Sequence, residues 1–115
     1  HAAGDQLLRV MGDFLIANVR AEDIACRYGG EEFVVMLPEA SLLMTRNRAE
    51  QLCKGVQSLG VNVRGELLRT VTASVGVAAF PEHGESVADL LRAADMALYA
   101  AKRQGRDRVV VAEKR

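Results

Sequence analysis

The sequence contains no tryptophan, and only 4% of its residues are aromatic. A platform that stacks the bases of single-stranded nucleic acid needs aromatic rings in series, so that activity is excluded. Net charge is also absent, because fifteen Lys and Arg side chains balance fifteen Asp and Glu. Dedicated binders of nucleic-acid polymers carry a basic excess. The balance still leaves room for a local basic pocket serving one phosphorylated ligand. No apolar run approaches the ~18 residues of a membrane-spanning helix, and no signal peptide is visible. The two cysteines, Cys26 and Cys53, form no C-x-x-C pair, which excludes a metal knuckle and a dithiol motif. They read as reduced thiols packed in a core, compatible with a cytoplasmic location. His1 and His83 have no partners at metal-ligand spacing and read as surface histidines. Neither a P-loop nor a Ser-centred nucleophile elbow occurs.

What is present is a chain of 115 residues, half of them hydrophobic, enough for one domain with its own core. It begins with His1 rather than Met, as a processed chain or a fragment would. Leu7, Leu8, Met11, Phe14, Leu15 and Val19 recur at helical spacing and predict a helix from about Gly4 to Val19. Ile24–Tyr28 and Phe33–Leu37 read as strands of a hairpin around Gly29-Gly30. Ser41 caps a second helix that Gly60 stops. Val61–Val63 and a long strand from Leu67 to Phe80 flank an Arg64-Gly65-Glu66 turn. Ser86, with Asp89 three residues on, caps a third helix that ends at Gly105, before the strand Val109–Val111. Hairpins mixed with helices predict an α+β domain, a mainly antiparallel sheet with helices packed on it.

Three clusters could carry chemistry. Gly29-Gly30-Glu31-Glu32 joins a sharp turn, open to close approach, with two carboxylates that suit Mg²⁺ or Mn²⁺; it reads equally as a plain hairpin turn. Lys102, Arg103, Arg106 and Arg108 gather at the end of the last helix, either as cations suited to a helix C-terminus or as a phosphate clamp. Arg20 and Asp23 form an R-x-x-D element or a simple loop ion pair. Asp5 lies where acids favour helix N-termini.

Taken together, these segments resemble the GGDEF domain, the catalytic domain of diguanylate cyclases. Gly29-Gly30-Glu31-Glu32-Phe33 is the GGEEF form of the family signature, preceded by Cys26-Arg27-Tyr28. His1-Ala-Ala-Gly4-Asp5 resembles the tail of its G-H-x-x-G-D segment. Val71–Ala78 resembles its T-x-S-x-G strand, and Ala94–Arg106 its last helix and exit. The resemblance implies a palm-type, ferredoxin-like fold. It also implies condensation of two GTP into cyclic di-GMP and two pyrophosphates by a face-to-face homodimer, with Mg²⁺ or Mn²⁺. By the same resemblance, Glu31 is a metal ligand and Glu32 assists at the metal or at the attacking hydroxyl. Gly29 and Gly30 admit the nucleotide, Asp5 reads guanine, and Lys102 and Arg106 bind the β- and γ-phosphates. Arg20 and Asp23 match the inhibitory product site. That site is often completed by an arginine where this chain has Gln51, with Arg46 and Arg48 nearby.

The family's domain extends further upstream than His1, through its first central strand and a second metal-binding carboxylate. The expectation is therefore residues 1–115 as one GGDEF domain, incomplete at its N-terminus and at best weakly active alone. The parent protein would carry a sensory or receiver domain upstream, and in some cases a membrane anchor. An alternative is an inactive domain that serves as a cyclic di-GMP receptor through Arg20 and Asp23. A structural dimerisation module is a third.

Overall fold

The structure, a computed structural model, describes residues 2–63, 65–68 and 71–114. His1, Arg64 and residues 69–70 of the expected long strand lie outside them. The described residues form three helices and six strands. The chain divides into two compact units, His1–Pro38 with Val56–Val71, and Glu39–Gly55 with Thr72–Arg115.

The first unit begins with α1 (Ala2–Ala17), which carries Asp5 in its first turn. Leu15 is buried, and Leu8, Met11 and Phe14 are half-buried on the predicted face. The helix stops before Val19 because Asn18 folds back on it. The Asn18 backbone N–H donates to the Leu15 carbonyl at 3.1 Å, and its side-chain amide donates to the Phe14 carbonyl at 2.8 Å. Carbonyls that the helix leaves unpaired are thereby satisfied. β1 (Ile24–Gly29) and β2 (Glu32–Met36) pair antiparallel as predicted, Ile24 opposite Met36 and Arg27 opposite Phe33. α1 packs against β1, and the Phe33 ring lies over Gly12, where an added Cβ would be 3.7 Å from Cε1. Cys26 pairs with Val34, one register step from Phe33 and so on the opposite face. That placement corrects the expectation of two core thiols: Cys26 is exposed because α1 covers the other face. β3 (Val61–Val63) and β4 (Glu66–Leu68) form a second antiparallel ladder, with β3 against α1.

In the second unit, which holds α2 (Leu42–Val56) as far as Gly55, Ser41 caps that helix as predicted, its Oγ accepting from the Met44 N–H at 3.1 Å. Ala49, Cys53 and Val56 form the buried stripe of this helix. The helix ends before Gly60, where the Leu59 N–H turns back to the Val56 carbonyl at 3.0 Å. β5 (Ser74–Val77) and β6 (Arg108–Val111) run parallel, with α3 (Val87–Arg103) as the crossover that parallel strands require. Ser86 caps α3 through the Asp89 N–H at 3.1 Å.

The long strand expected from Leu67 to Phe80 is instead β4 and a separate β5. After Val77 the chain leaves the ladder for a loop closed by His83. The Ala79 N–H donates to His83 Nδ1 at 2.9 Å, and the His83 N–H donates to the Ala79 carbonyl at 2.9 Å. His83 is only 5% exposed, which corrects its reading as a surface histidine. Its ring occupies the inside of the loop because it supplies the acceptor that the Ala79 N–H lacks outside the ladder. The whole is α+β as expected, with two of the three described ladders antiparallel.

Candidate active site

The β1–β2 hairpin places the GGEEF segment at its tip. Gly29 pairs with Glu32, so Gly30 and Glu31 make the turn. Gly30 has φ 51°, in the left-handed region that favours glycine. Among the described residues, no atom beyond its own chain neighbours lies within 4 Å of where a Cβ would stand on Gly29 or Gly30, so a ligand can approach the backbone there. The register shifts between Arg27 and Gly29, leaving Tyr28 in a bulge that sharpens the local twist and re-aims the tip.

A residue that the sequence reading left without a role holds this turn. Arg27 donates to the Gly30 carbonyl through Nε at 3.0 Å and Nη2 at 2.7 Å. The available signal was a five-donor side chain three residues before a glycine whose carbonyl has no strand partner. Glu31 is exposed and Glu32 half-buried. Their carboxylates suit a hard divalent cation, but among the described residues no three or more His, Cys, Asp or Glu side chains converge.

Arg20 and Asp23 close the loop between α1 and β1. The Arg20 N–H donates to Asp23 Oδ2 at 2.8 Å, and the Asp23 N–H donates to the Arg20 carbonyl at 3.0 Å. Arg20 Nε lies 3.8 Å from the same Oδ2, and Nη1 lies 3.9 Å from Glu22 Oε2. The Asp23 side chain is 0% exposed and that of Arg20 47%, so the acid anchors the turn and the guanidinium faces outward. Asp5, also in this unit, is exposed on the first turn of α1.

The second unit carries the cations at the end of α3. Lys102 and Arg103 lie in the last turn of α3, and the Arg103 guanidinium sits 5.8 Å from the centre of the Tyr99 ring. Arg106 follows the cap and is exposed. On α2, Arg46 is exposed and Arg48 half-buried. Cys53 donates to the Ala73 carbonyl at 3.4 Å. Burial, then the nearby charges of Asp107 and Glu50, hold its thiol above the ordinary range, so this cysteine is a poor nucleophile.

The family described as "Diguanylate cyclase, GGDEF domain" matches residues 1–108. The chain belongs to the GGDEF family. It is 43% identical over 114 residues to the diguanylate cyclase DgcP of Pseudomonas aeruginosa, covering 97% of this chain and 16% of that protein. The solved GGDEF domain of PA1120 (YfiN or TpbB) from the same organism superposes with a TM-score of 0.89 at 35% identity, covering 100% of this chain and 71% of that one. The GGDEF domain of DgcB from Caulobacter crescentus, solved in complex with c-di-GMP, gives a TM-score of 0.87 at 35% identity, covering 99% of this chain and 67% of that one. The chain thus spans less than a fifth of the length of DgcP. None of the described helices of this GGDEF chain is long and apolar enough to cross a membrane.

Proposed function

We propose that the protein carrying this chain is a diguanylate cyclase, condensing two GTP into cyclic di-GMP as a homodimer of facing GGDEF domains. The observation that supports this reading is the hairpin tip: an open Gly29-Gly30 backbone followed at once by Glu31 and Glu32. In the reaction, each ribose 3′-oxygen forms a bond to the α-phosphorus of the other GTP as the bond to pyrophosphate breaks. The hydroxyl proton leaves to solvent or a base.

Glu31, with Glu32 beside it, would hold Mg²⁺ or Mn²⁺ through its carboxylate oxygens. A bound ion there would neutralise phosphate charge and ease loss of the hydroxyl proton. Gly29 and Gly30 admit the ribose and α-phosphate. The Asp5 carboxylate accepts hydrogen bonds from guanine N1 and N2, which adenine does not offer, and such readout discriminates strongly. Lys102 supplies a point charge and Arg106 a fork to the β- and γ-phosphates.

The pre-formed Arg20–Asp23 turn favours a second reading, a receptor or product-inhibited site for cyclic di-GMP, with the exposed Arg20 head as the phosphate contact. Incubating the whole protein with labelled GTP and Mn²⁺ separates the two. Cyclic di-GMP formed by the wild type and lost in Glu31→Ala supports the cyclase. Binding of cyclic di-GMP without any product in the wild type supports the receptor. A purely structural dimerisation module predicts that no nucleotide shifts the melting temperature.

A further inference from the structure

We propose that Arg108 is a positioning residue, which locks the backbone of Arg106 so that the Arg106 side chain is presented to the nucleotide's terminal phosphates. The proposal rests on the reading of Arg106 as a phosphate ligand. Beyond the α3 cap at Gln104, three residues in succession have positive φ: Gly105 at 119°, Arg106 at 65° and Asp107 at 49°. Only the first is a glycine. Left-handed backbone is unfavourable for an L side chain and persists where the surroundings over-determine it.

Two hydrogen bonds do so at Arg106. Its N–H donates to the Ala101 carbonyl at 2.9 Å, the long-range bond of a Schellman ending. Its carbonyl accepts from Arg108 Nε, also at 2.9 Å. The backbone of Arg106 is therefore held on both sides, by the helix behind it and by a side chain reaching back from the strand ahead. The same guanidinium covers Gly105, where an added Cβ would be 3.0 Å from Arg108 Nη2. Arg108 is a firm origin for this clamp, because it opens β6 in register with Ser74 of β5. A turn set before the ligand arrives spares the ordering cost that a mobile Arg106 would incur on binding. Lysine at 108 would keep one donor but lose the planar fork over Gly105.

The test measures GTP and GMP affinity of the whole protein carrying Arg108→Met, Arg108→Lys, Arg106→Met or the 106/108 double change. Arg108→Met should weaken GTP binding roughly threefold to tenfold, while GMP, which lacks the β- and γ-phosphates, binds as before. Arg108→Lys should recover part of the loss. The double variant should bind GTP no more weakly than Arg106→Met alone, because a clamp without its arginine has nothing to present. Additive losses, or equal losses for GTP and GMP, overturn the positioning role while Arg106 keeps its own. Failure of Arg106→Met to weaken GTP binding overturns the phosphate reading beneath it, and the proposal with it.

Discussion

Gly76 sits where β5 meets α3 with no space for a side chain. A Cβ built there would be 2.1 Å from the Ala94 carbonyl oxygen, 2.4 Å from the Leu98 nitrogen and 3.0 Å from the Leu98 Cα. All three are backbone atoms, so no rotamer change relieves the clash. The carbonyl of Ala94 and the amide of Leu98 stand four residues apart, the spacing of one helical hydrogen bond. A methyl group at Gly76 must therefore break that bond or push α3 back by about 1 Å. Retreat would loosen the side on which Ala97 and Ala101 are buried, and dispersion contacts weaken steeply over such a gap. Gly76→Ala should cost about 3 kcal/mol or more, which lowers the melting temperature by roughly 10–20 °C for a domain of this size. Thermal melting followed by circular dichroism reads the change. Gly12→Ala is the matched control: it lies inside α1, and its new Cβ would meet Phe33 Cε1 at an ordinary 3.7 Å. That variant should gain about 0.5–1 kcal/mol from helix propensity. A Gly76→Ala protein melting within about 2 °C of wild type would refute the close approach of strand and helix.

The two thiols should separate by reactivity: Cys26 reacts at once with a thiol reagent in the native protein and Cys53 only on unfolding, and two fast thiols would contradict the burial of Cys53. Because the Cys53 thiol is raised in the folded state, its contribution to stability is complete below the ordinary thiol value of 9.0 and is lost as pH rises through the raised value. Denaturant midpoints should thus fall more steeply between 9.0 and the raised value in wild type than in Cys53→Ala, and parallel curves there would count against it. At the hairpin, Arg27→Met removes both bonds to the Gly30 carbonyl. It should lower cyclic di-GMP formation roughly tenfold by loosening the turn, with little change in melting temperature; undiminished turnover would show that the clamp is dispensable.

Much of the fold was legible because its signals are short-range. The helical spacing of Leu8, Met11 and Leu15 set the face of α1, and Ser41 and Ser86 marked the starts of α2 and α3. Gly29-Gly30 marked the hairpin tip, since a left-handed turn residue announces itself by its missing side chain. The GGEEF segment, Asp5, Arg20–Asp23, Lys102 and Arg106 were found as a pattern along the chain. The Arg27 clamp was not, because a guanidinium bonded to a carbonyl leaves no periodicity to read.

The amino-acid sequence by itself determined the family, the order of the elements and the residues available for chemistry, because capping, turn formation and amphipathic spacing act over a few neighbours. Tertiary structure alone decided what those residues face. Cys26 and Cys53 are the same residue type on similarly apolar segments, yet one is exposed and the other buried, because only one lies against a covering layer. His83 is hidden because a loop folds around it, and β5 ends at Val77 because its ladder partner β6, brought alongside by the intervening helix, pairs only from Ser74 to Val77. The Arg106 carbonyl takes its partner from Arg108, which turns back from that same strand. Each of these depends on which surfaces meet after the chain has folded, and burial and hydrogen-bond partnership belong to that meeting rather than to residue identity.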